Sequence, residues 1–293
     1  MCYAKLYTSL RNAQQSAQEV AELQRTIFER TAGVHMNILK EFSNELGYIN
    51  VNNQYIELAV RYYEQEHGTE PLDQMARSVH LSVSKLPEGY YVRVARGYIV
   101  GIQSCFEKYL IQFKGLCGNP TKTVVDYDPK KQKTNRLEWT LKACYGSRFP
   151  EDIKEYYNIC NYYRLTRNQS VHRGNQSAEY KQARALVENL DRNLLKSGMC
   201  EHLNAPNSIE NLTFDDQVLF SRTARLLAER IYKDSKYDWN EILTKNKSEL
   251  SSLVSTVRDD RRKRDAKIIN FLAQTYPAKE QPELVECLQL FVL

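Results

Sequence analysis

The sequence predicts an all-α protein. Glycine and proline are few, at 11 and 8 of 293 residues, and residues that favour strands do not form runs. Along most of the chain, apolar residues recur at steps of three and four, which is the period of an α-helix. A hydrophobic content of 42% with 26% charged residues is ordinary for a globular protein. We therefore expect several helices packed around a core.

The first third of the chain, residues 1–87, reads as an N-terminal helical region. Residues 4–32 carry an apolar stripe on an otherwise polar segment, so this helix needs a surface to pack against. Three further helices are predicted in this region, over residues 36–46, 54–66 and 71–81. Pro87 and Gly89 then interrupt the pattern, and we place a domain boundary there.

Residues 88–235 are predicted to form a helical bundle. The pattern gives four helices with short connections, at residues 90–114, 151–172, 177–196 and from Thr213 to Ile231, and a shorter one at 137–144. Thr213 and Asp216 have the spacing of a capping box, with Asp in place of Glu, and mark a helix start. Gly97 and Gly101 reduce helix propensity, and we expect them to allow another helix to approach closely.

Residues 236–293 are predicted to be a C-terminal helical extension. Basic and acidic residues alternate between Arg258 and Lys267, which favours a solvated helix face over a nucleic-acid-binding arm. The final ten residues, LVECLQLFVL, are apolar enough that we expect them to be buried, within the fold or between subunits.

Several function classes have no support in the sequence. The chain contains no phosphate-binding glycine loop, dinucleotide fingerprint, zinc-binding HExxH pair or GxSxG nucleophile elbow. No apolar run approaches the roughly 18 residues of a membrane span.

The seven cysteines form no CxxC pair, so we expect reduced thiols in the cytoplasm, with Cys105 and Cys160 in the core. We expect no cofactor, no metal and no membrane partner.

The most informative stretch is the predicted helix at 151–172, which ends in Arg167, Asn168 and His172. Arginine is a permanent cation with a planar fork that suits phosphate. Histidine is the side chain that exchanges a proton near neutral pH. This pattern predicts that the group holds a phosphodiester and removes a proton from the neighbouring hydroxyl. The alternative is a solvated helix end at which His172 caps backbone carbonyls.

Spacing alone does not distinguish this group. Arg30 and His35 are separated by the same four residues, and Arg61 and His67 by five. The segment around Arg167 differs because a long apolar-faced helix precedes it, Asn168 follows the arginine, and another helix comes directly after.

With its tyrosine-rich helix and the segment RNQSVH, the chain resembles the HEPN superfamily of α-helical ribonucleases over about residues 90–234. The resemblance implies a HEPN-like bundle with additional N-terminal and C-terminal helices, and a metal-independent endoribonuclease of the toxin, abortive-infection or antiphage-defence type. It also implies a homodimer in which two motifs make one site. Gly174 stands where some family toxins have a tyrosine that a partner modifies, which argues against that form of antitoxin control.

The resemblance gives each motif residue a role. Arg167 would bind the scissile phosphate, His172 would act as general base or acid, and Asn168 would orient them. We expect the dimer contact to involve the motif helix and helix 90–114, with the tyrosines between Tyr156 and Tyr163 exposed at its centre.

RNA contact is expected from basic residues around the motif, consistent with a net charge of +5. The candidates are Lys122, Lys130, Lys131, Lys133, Arg136, Arg164 and Arg173. A basic loop is also simply a solvated surface, and that alternative stays open. A second class of function remains too: a non-catalytic helical dimer that binds RNA, a nucleotide or a protein partner, such as an antitoxin or another regulatory protein.

Overall fold

A computed structural model confirms the all-α class. It describes residues 38–67, 89–116, 127, 130, 134–171, 177–188, 203–235, 237–257, 260–274, 276 and 278–291. Within these ranges every regular element is helical. The predicted helices at 4–32 and 71–81, and the boundary near residue 87, lie outside the described residues. The predicted division at 235/236 falls beside undescribed Lys236, and both boundaries stay predictions.

Ten α-helices are present in the described ranges. They are α1 (Ile38–His67), α2 (Tyr90–Leu116), α3 (Arg136–Tyr145), α4 (Glu151–Val171), α5 (Ala178–Glu188), α6 (Phe214–Asp234), α7 (Trp239–Lys245), α8 (Lys247–Val254), α9 (Arg261–Leu272) and α10 (Pro282–Leu290). Short 3₁₀ turns occur at Ser255–Val257 and Ala278–Glu280. The helices predicted between residues 90 and 231 are therefore confirmed as α2 to α6. Residues 189–196, at the end of the helix predicted over 177–196, are not described.

The chain divides into two compact units. The larger comprises Ile38–Ser252 and Pro282–Leu293, and the described part of the smaller is Leu253–Gln281. In the smaller unit, α9 packs against both 3₁₀ turns, and the ammonium of Lys267 donates to the Thr256 hydroxyl at 3.3 Å. Of the alternating charges predicted between Arg258 and Lys267, those from Arg261 onward lie on α9, whose buried positions are Ile268 and Leu272.

The larger unit is a bundle in which α2 and α6 pack on each other, and each of them also packs on α1 and α4. Aromatic side chains fill its centre: the ring centroids of Phe42 and Tyr109 are 4.9 Å apart, and those of Tyr109 and Phe113 are 5.8 Å apart. The Tyr109 hydroxyl donates to the carbonyl of Ala228 at 2.9 Å, which satisfies its polar end inside the core. Cys105 and Cys160 are buried here, as predicted.

One buried carboxylate joins three parts of this bundle. Asp216 is 0% exposed. Its Oδ1 accepts hydrogen bonds from the Tyr163 hydroxyl on α4 at 2.9 Å and from the Asn207 backbone at 2.7 Å. Its Oδ2 accepts from the Asn207 amide at 2.9 Å and from the Thr213 backbone at 2.8 Å. The predicted capping box at the start of α6 is thus confirmed, and it also anchors α4.

The prediction of two separate helices at 36–46 and 54–66 is wrong, because α1 is continuous through the intervening residues. Tertiary contacts hold this Asn-rich stretch in the helix. The Asn50 amide donates to the Ser221 hydroxyl at 2.6 Å, and the Gln217 amide donates to the Asn50 side-chain oxygen at 2.6 Å. Both partners lie on α6, so packing overrides the weak helix propensity of asparagine.

The close approach expected at the α2 glycines is not found. A Cβ atom added to Gly101 would meet Ile49 Cγ2 at 3.7 Å, an ordinary van der Waals distance, and one added to Gly97 would meet nothing within 4 Å. Neither glycine is therefore required by the packing of α2.

The final stretch LVECLQLFVL is expected to be buried, but only one face of its helix is buried within the fold. Leu284 and Leu288 are buried, whereas Val285 is exposed and Leu290 is 83% exposed. Residues 284–290 of the stretch belong to α10, which packs against α7.

Replacing Asp216 by Asn should lower the free energy of unfolding by about 3 kcal/mol, because one acceptor oxygen becomes a donor that faces buried N–H groups. Asp215→Asn is the matched control: it removes the same charge from the same helix turn, but Asp215 accepts only an exposed hydrogen bond from the Asn204 backbone at 2.8 Å. Urea unfolding of both variants measures the difference. Equal losses would show that Asp216 does not anchor α4.

Candidate functional site

The structure describes five of the ten predicted site residues. Arg164, Arg167 and Asn168 lie in the last two turns of α4, Arg136 begins α3, and Lys130 is exposed before it. His172, Arg173, Lys122, Lys131 and Lys133 lie outside the described residues. The candidate site is therefore built from the C-terminal end of α4 and its neighbours.

One side of α4 belongs to the core. Tyr156, Tyr162 and Tyr163 are each 6% exposed or less. Burial raises the pKa of Tyr163 well above its ordinary value, and its bond to Asp216 acts in the same direction. Tyr162 donates to the Asn207 carbonyl. The prediction that these tyrosines form an exposed dimer contact is wrong, because the bundle uses them as its own packing surface.

The other side of α4 is a polar stripe. Tyr157, Asn161, Arg164 and Asn168 follow one another at steps of four, three and four residues, so they share one face of the helix. All four are partly exposed. Because the opposite face is fixed in the core, this stripe is held in a defined orientation.

Arg167 combines partial burial with unused hydrogen-bonding capacity. Its Nη1 donates to the side-chain oxygen of Asn168 at 3.2 Å. Its Nε is buried and has no hydrogen-bond partner. A guanidinium has five donors, and buried donors are usually satisfied. Arg167 therefore has donor capacity for an acceptor such as a phosphate oxygen, with Asn168 beside it.

A pocket of about 450 Å³ lies between α3, α4 and α5. Polar groups dominate its lining, and they include the side chains of Asn135, Asn158, Asn161, Arg164, Glu138, Glu179 and Gln182. Tyr157, Leu165, Ala183 and Leu186 complete the wall. This volume is in the range of small-ligand sites in proteins.

Arg164 is the cation of this pocket. Its Nε and Nη2 donate to the Asn161 side-chain oxygen at 3.0 and 2.9 Å. Burial lowers the pKa of its guanidinium. Among the residues that the structure describes, no carboxylate forms an ion pair with it, although Glu179 lines the same pocket. Glu138, also in the lining, pairs instead with Lys142 at 2.6 Å.

The mixture of one cation, two carboxylates and several amides indicates the kind of ligand that fits. A bare phosphate would meet Glu138 and Glu179 as well as Arg164, and like charges would oppose it. A neutral group with both donors and acceptors, such as a nucleobase, suits the lining better. Tyr157 adds an aromatic wall of the kind on which bases stack.

Arg136 is engaged locally at one edge of this site. Its guanidinium carbon lies 4.7 Å from the ring centroid of Tyr127. The Tyr127 hydroxyl donates to the Thr134 carbonyl at 3.0 Å, and Asn135 caps α3 by accepting from the Glu138 backbone at 3.0 Å. Arg136 is thus placed next to pocket residues Thr134 and Asn135.

Comparisons with models of known protein families, with curated protein sequences and with solved structures gave no match. No described helix has both the length and the apolar character needed to cross a membrane. The described residues also contain no group of three or more His, Cys, Asp or Glu side chains placed to hold a metal ion.

Sequence reasoning identified Arg164 but missed the pocket around it. Asn135 caps α3, Glu138 lies on α3, and Glu179 and Gln182 lie on α5. Their convergence depends on how these helices pack against α4. One feature of the sequence could have indicated the pocket: Asn161, Arg164 and Asn168 form a polar stripe on a helix whose other face is apolar.

Replacing Arg164 by Met should leave the free energy of unfolding unchanged or raise it by up to about 1 kcal/mol, because a desolvated cation without an ion pair contributes little to stability. Arg230→Met is the control and should lower it by about 1 kcal/mol, since Arg230 pairs with Asp152 and Asp234 at a partly exposed site. Urea unfolding gives both values. A large loss for Arg164→Met would mean that this arginine is kept for the fold rather than for a ligand.

Proposed function

We propose that this chain is a metal-independent endoribonuclease in which Arg167, Asn168 and His172 carry the reaction. The observation that supports the proposal most directly is Arg167, whose buried Nε is unpaired at the end of α4, five residues before His172 in sequence. The resemblance of RNQSVH to the HEPN motif gives the same residues the same roles.

RNA supplies its own nucleophile, the 2′-hydroxyl beside each phosphate. A protein must remove that proton, stabilise the charge that develops on the phosphate oxygens, and protonate the leaving 5′-oxygen. Histidine is suited to the proton transfers, which typically contribute 10²–10⁴ in rate. The guanidinium of Arg167 would hold the phosphate, and removing such a stabiliser commonly costs about 10²–10³. Asn168, whose side-chain oxygen accepts a hydrogen bond from Arg167, would position the Arg167 guanidinium.

The pocket beside Arg164 gives the substrate a second point of attachment. It lies along the same face of α4 as Asn168, and its amides, carboxylates and aromatic wall suit an unpaired base. Single-stranded RNA can turn a base into such a pocket, which would set the position of the neighbouring phosphate. The basic segment at 122–136 would follow the backbone beyond it.

We further propose that the enzyme works as a homodimer in the cytoplasm, as a toxin or antiphage-defence effector under the control of an antitoxin or another regulatory protein. The support is the family resemblance, in which two motifs make one site. A second function is favoured by the pocket itself: a non-catalytic module that binds RNA or a nucleotide needs Arg164 and its neighbours but not His172.

Arg167→Ala and His172→Ala should each reduce RNA cleavage by at least 10², while the chain keeps its fold and its affinity for RNA through the Arg164 pocket. Arg167→Lys should also be impaired, because a single ammonium does not reproduce the planar fork. Cleavage of a labelled single-stranded RNA by the purified chain is the measurement, with binding followed separately by fluorescence anisotropy.

Arg30→Ala and His35→Ala are the matched controls, since this pair has the same spacing as Arg167 and His172 and should retain full activity. Wild-type cleavage by His172→Ala would overturn the assignment of the general base. RNA binding that depends on Arg164, without any cleavage by the wild-type chain, would favour the binding module.

A further inference from the structure

Two opposite charges face the pocket between α3, α4 and α5 without pairing with each other. Arg164 and Glu179 both line this cavity of about 450 Å³. Burial lowers the pKa of the Arg164 guanidinium, and Glu179 is among the charges that act in the opposite direction, so the two groups lie within electrostatic range. Among the described residues, however, Glu179 forms no hydrogen bond or ion pair. The space between the two groups can therefore hold a ligand that contacts both.

Arg164 presents a pair of donors to this space. A guanidinium has five N–H donors in a planar fork. Those of Nε and one of Nη2 are directed at the side-chain oxygen of Asn161, at 3.0 and 2.9 Å. The hydrogens of Nη1 and the second hydrogen of Nη2 remain, and they lie side by side at the end of the guanidinium. A fork of this kind suits two adjacent acceptor atoms.

Glu179 supplies the matching pair of acceptors. Glu138, the other carboxylate of the lining, pairs with Lys142 at 2.6 Å. Glu179 instead lies exposed in the first turn of α5. An ionised carboxylate only accepts hydrogen bonds, and its two oxygens suit two adjacent donors. The pocket therefore offers a donor pair on α4 and an acceptor pair on α5.

We propose that this pocket selects guanine in an RNA chain, with Arg164 donating to O6 and N7 and Glu179 accepting from N1–H and the 2-amino group. Guanine is the standard RNA base that has two adjacent acceptors on one edge and two adjacent donors on the next. A bidentate arginine contact to O6 and N7 is also the commonest base-specific contact in duplex DNA. The inference rests on the proposed function in taking RNA as the ligand.

The other three bases do not match both partners. Adenine has its 6-amino group beside N7, so a donor would face the Arg164 fork. Cytosine and uracil each have one donor group next to acceptor atoms, and the Glu179 carboxylate would repel those acceptors. Stacking on Tyr157 tolerates any base, so it contributes affinity, whereas the edge contacts determine which base is bound.

The position of the pocket relates guanine recognition to the proposed reaction. Asn168 continues the face of α4 that carries Arg164, and Arg167 lies about one helical turn beyond Arg164. A guanosine held by its base would therefore bring a neighbouring phosphate toward Arg167. We expect cleavage at phosphates adjacent to guanosine.

The test uses a uridine-rich single-stranded RNA with one guanosine, and analogues of that guanosine at the same position. The full chain should bind this RNA about 10-fold more tightly than the same RNA with adenosine, the scale of one bidentate base contact. Inosine lacks the 2-amino group and 7-deazaguanosine lacks N7. Each should weaken binding about 10-fold, as expected for a lost hydrogen bond to a charged group. Fluorescence anisotropy measures the four affinities.

Glu179→Gln tests the carboxylate. The change keeps the size of an exposed side chain, so the fold is preserved, but an amide donor would then face the guanine donors. The difference in affinity between the guanosine and inosine RNAs should disappear. Glu188→Gln is the matched control, because it removes the same charge from the same helix outside this pocket, where Glu188 pairs with Arg184 at 2.7 Å. This variant should keep the wild-type preference.

Mapping the cleaved phosphates separates this inference from the ribonuclease proposal. Guanosine-selective binding without cleavage would support the guanine site and contradict the ribonuclease. Equal binding of the guanosine and adenosine RNAs, cleavage without a preference for guanosine, or a guanosine–inosine difference that persists in Glu179→Gln would each overturn the guanine site. Free GMP that binds as tightly as the guanosine RNA would identify a nucleotide as the ligand and would overturn the assignment to RNA.

Discussion

The fold depends on satisfying one carboxylate that has no access to water. Asp216 lies at the start of α6, and leaving it unpaired in the core would be costly. Its oxygens therefore require donors from elsewhere in the chain, and the Tyr163 hydroxyl and the backbone of Asn207 supply them. This requirement fixes the rotation of α4 about its own axis and the path of the chain that leads into α6. A local device for starting one helix thus sets the position of another.

The consequence for function is that the polar face of α4 cannot turn away from its neighbours. With Tyr163 held inward, Asn161 and Arg164 face α3 and α5 and form the pocket wall. Asn168 continues the same face, and Arg167 lies beside it with an unpaired buried Nε. The core and the candidate site are therefore two faces of one helix, and the geometry of the second follows from the packing of the first.

Features encoded within a few residues were predictable from the sequence. The helical period gave the fold class and α2, α4 and α6, and the spacing of Thr213 and Asp216 gave the capping box. Features set by contacts distant in sequence were not. The continuity of α1 through Asn50 depends on partners on α6, and the inward position of Tyr163 on α4 depends on Asp216. The pocket was missed for the same reason, since three helices contribute to it.

The central claim is that α4 ends in a ribonuclease site that uses the 2′-hydroxyl of RNA, and the chemistry of the product ends tests it most directly. Purified chain should be incubated with single-stranded RNA in EDTA and the fragments analysed by mass spectrometry. We expect fragments with 2′,3′-cyclic phosphate and 5′-hydroxyl ends, formed as fast as without EDTA. Intact RNA, cleavage abolished by EDTA, or 5′-phosphate ends would contradict it.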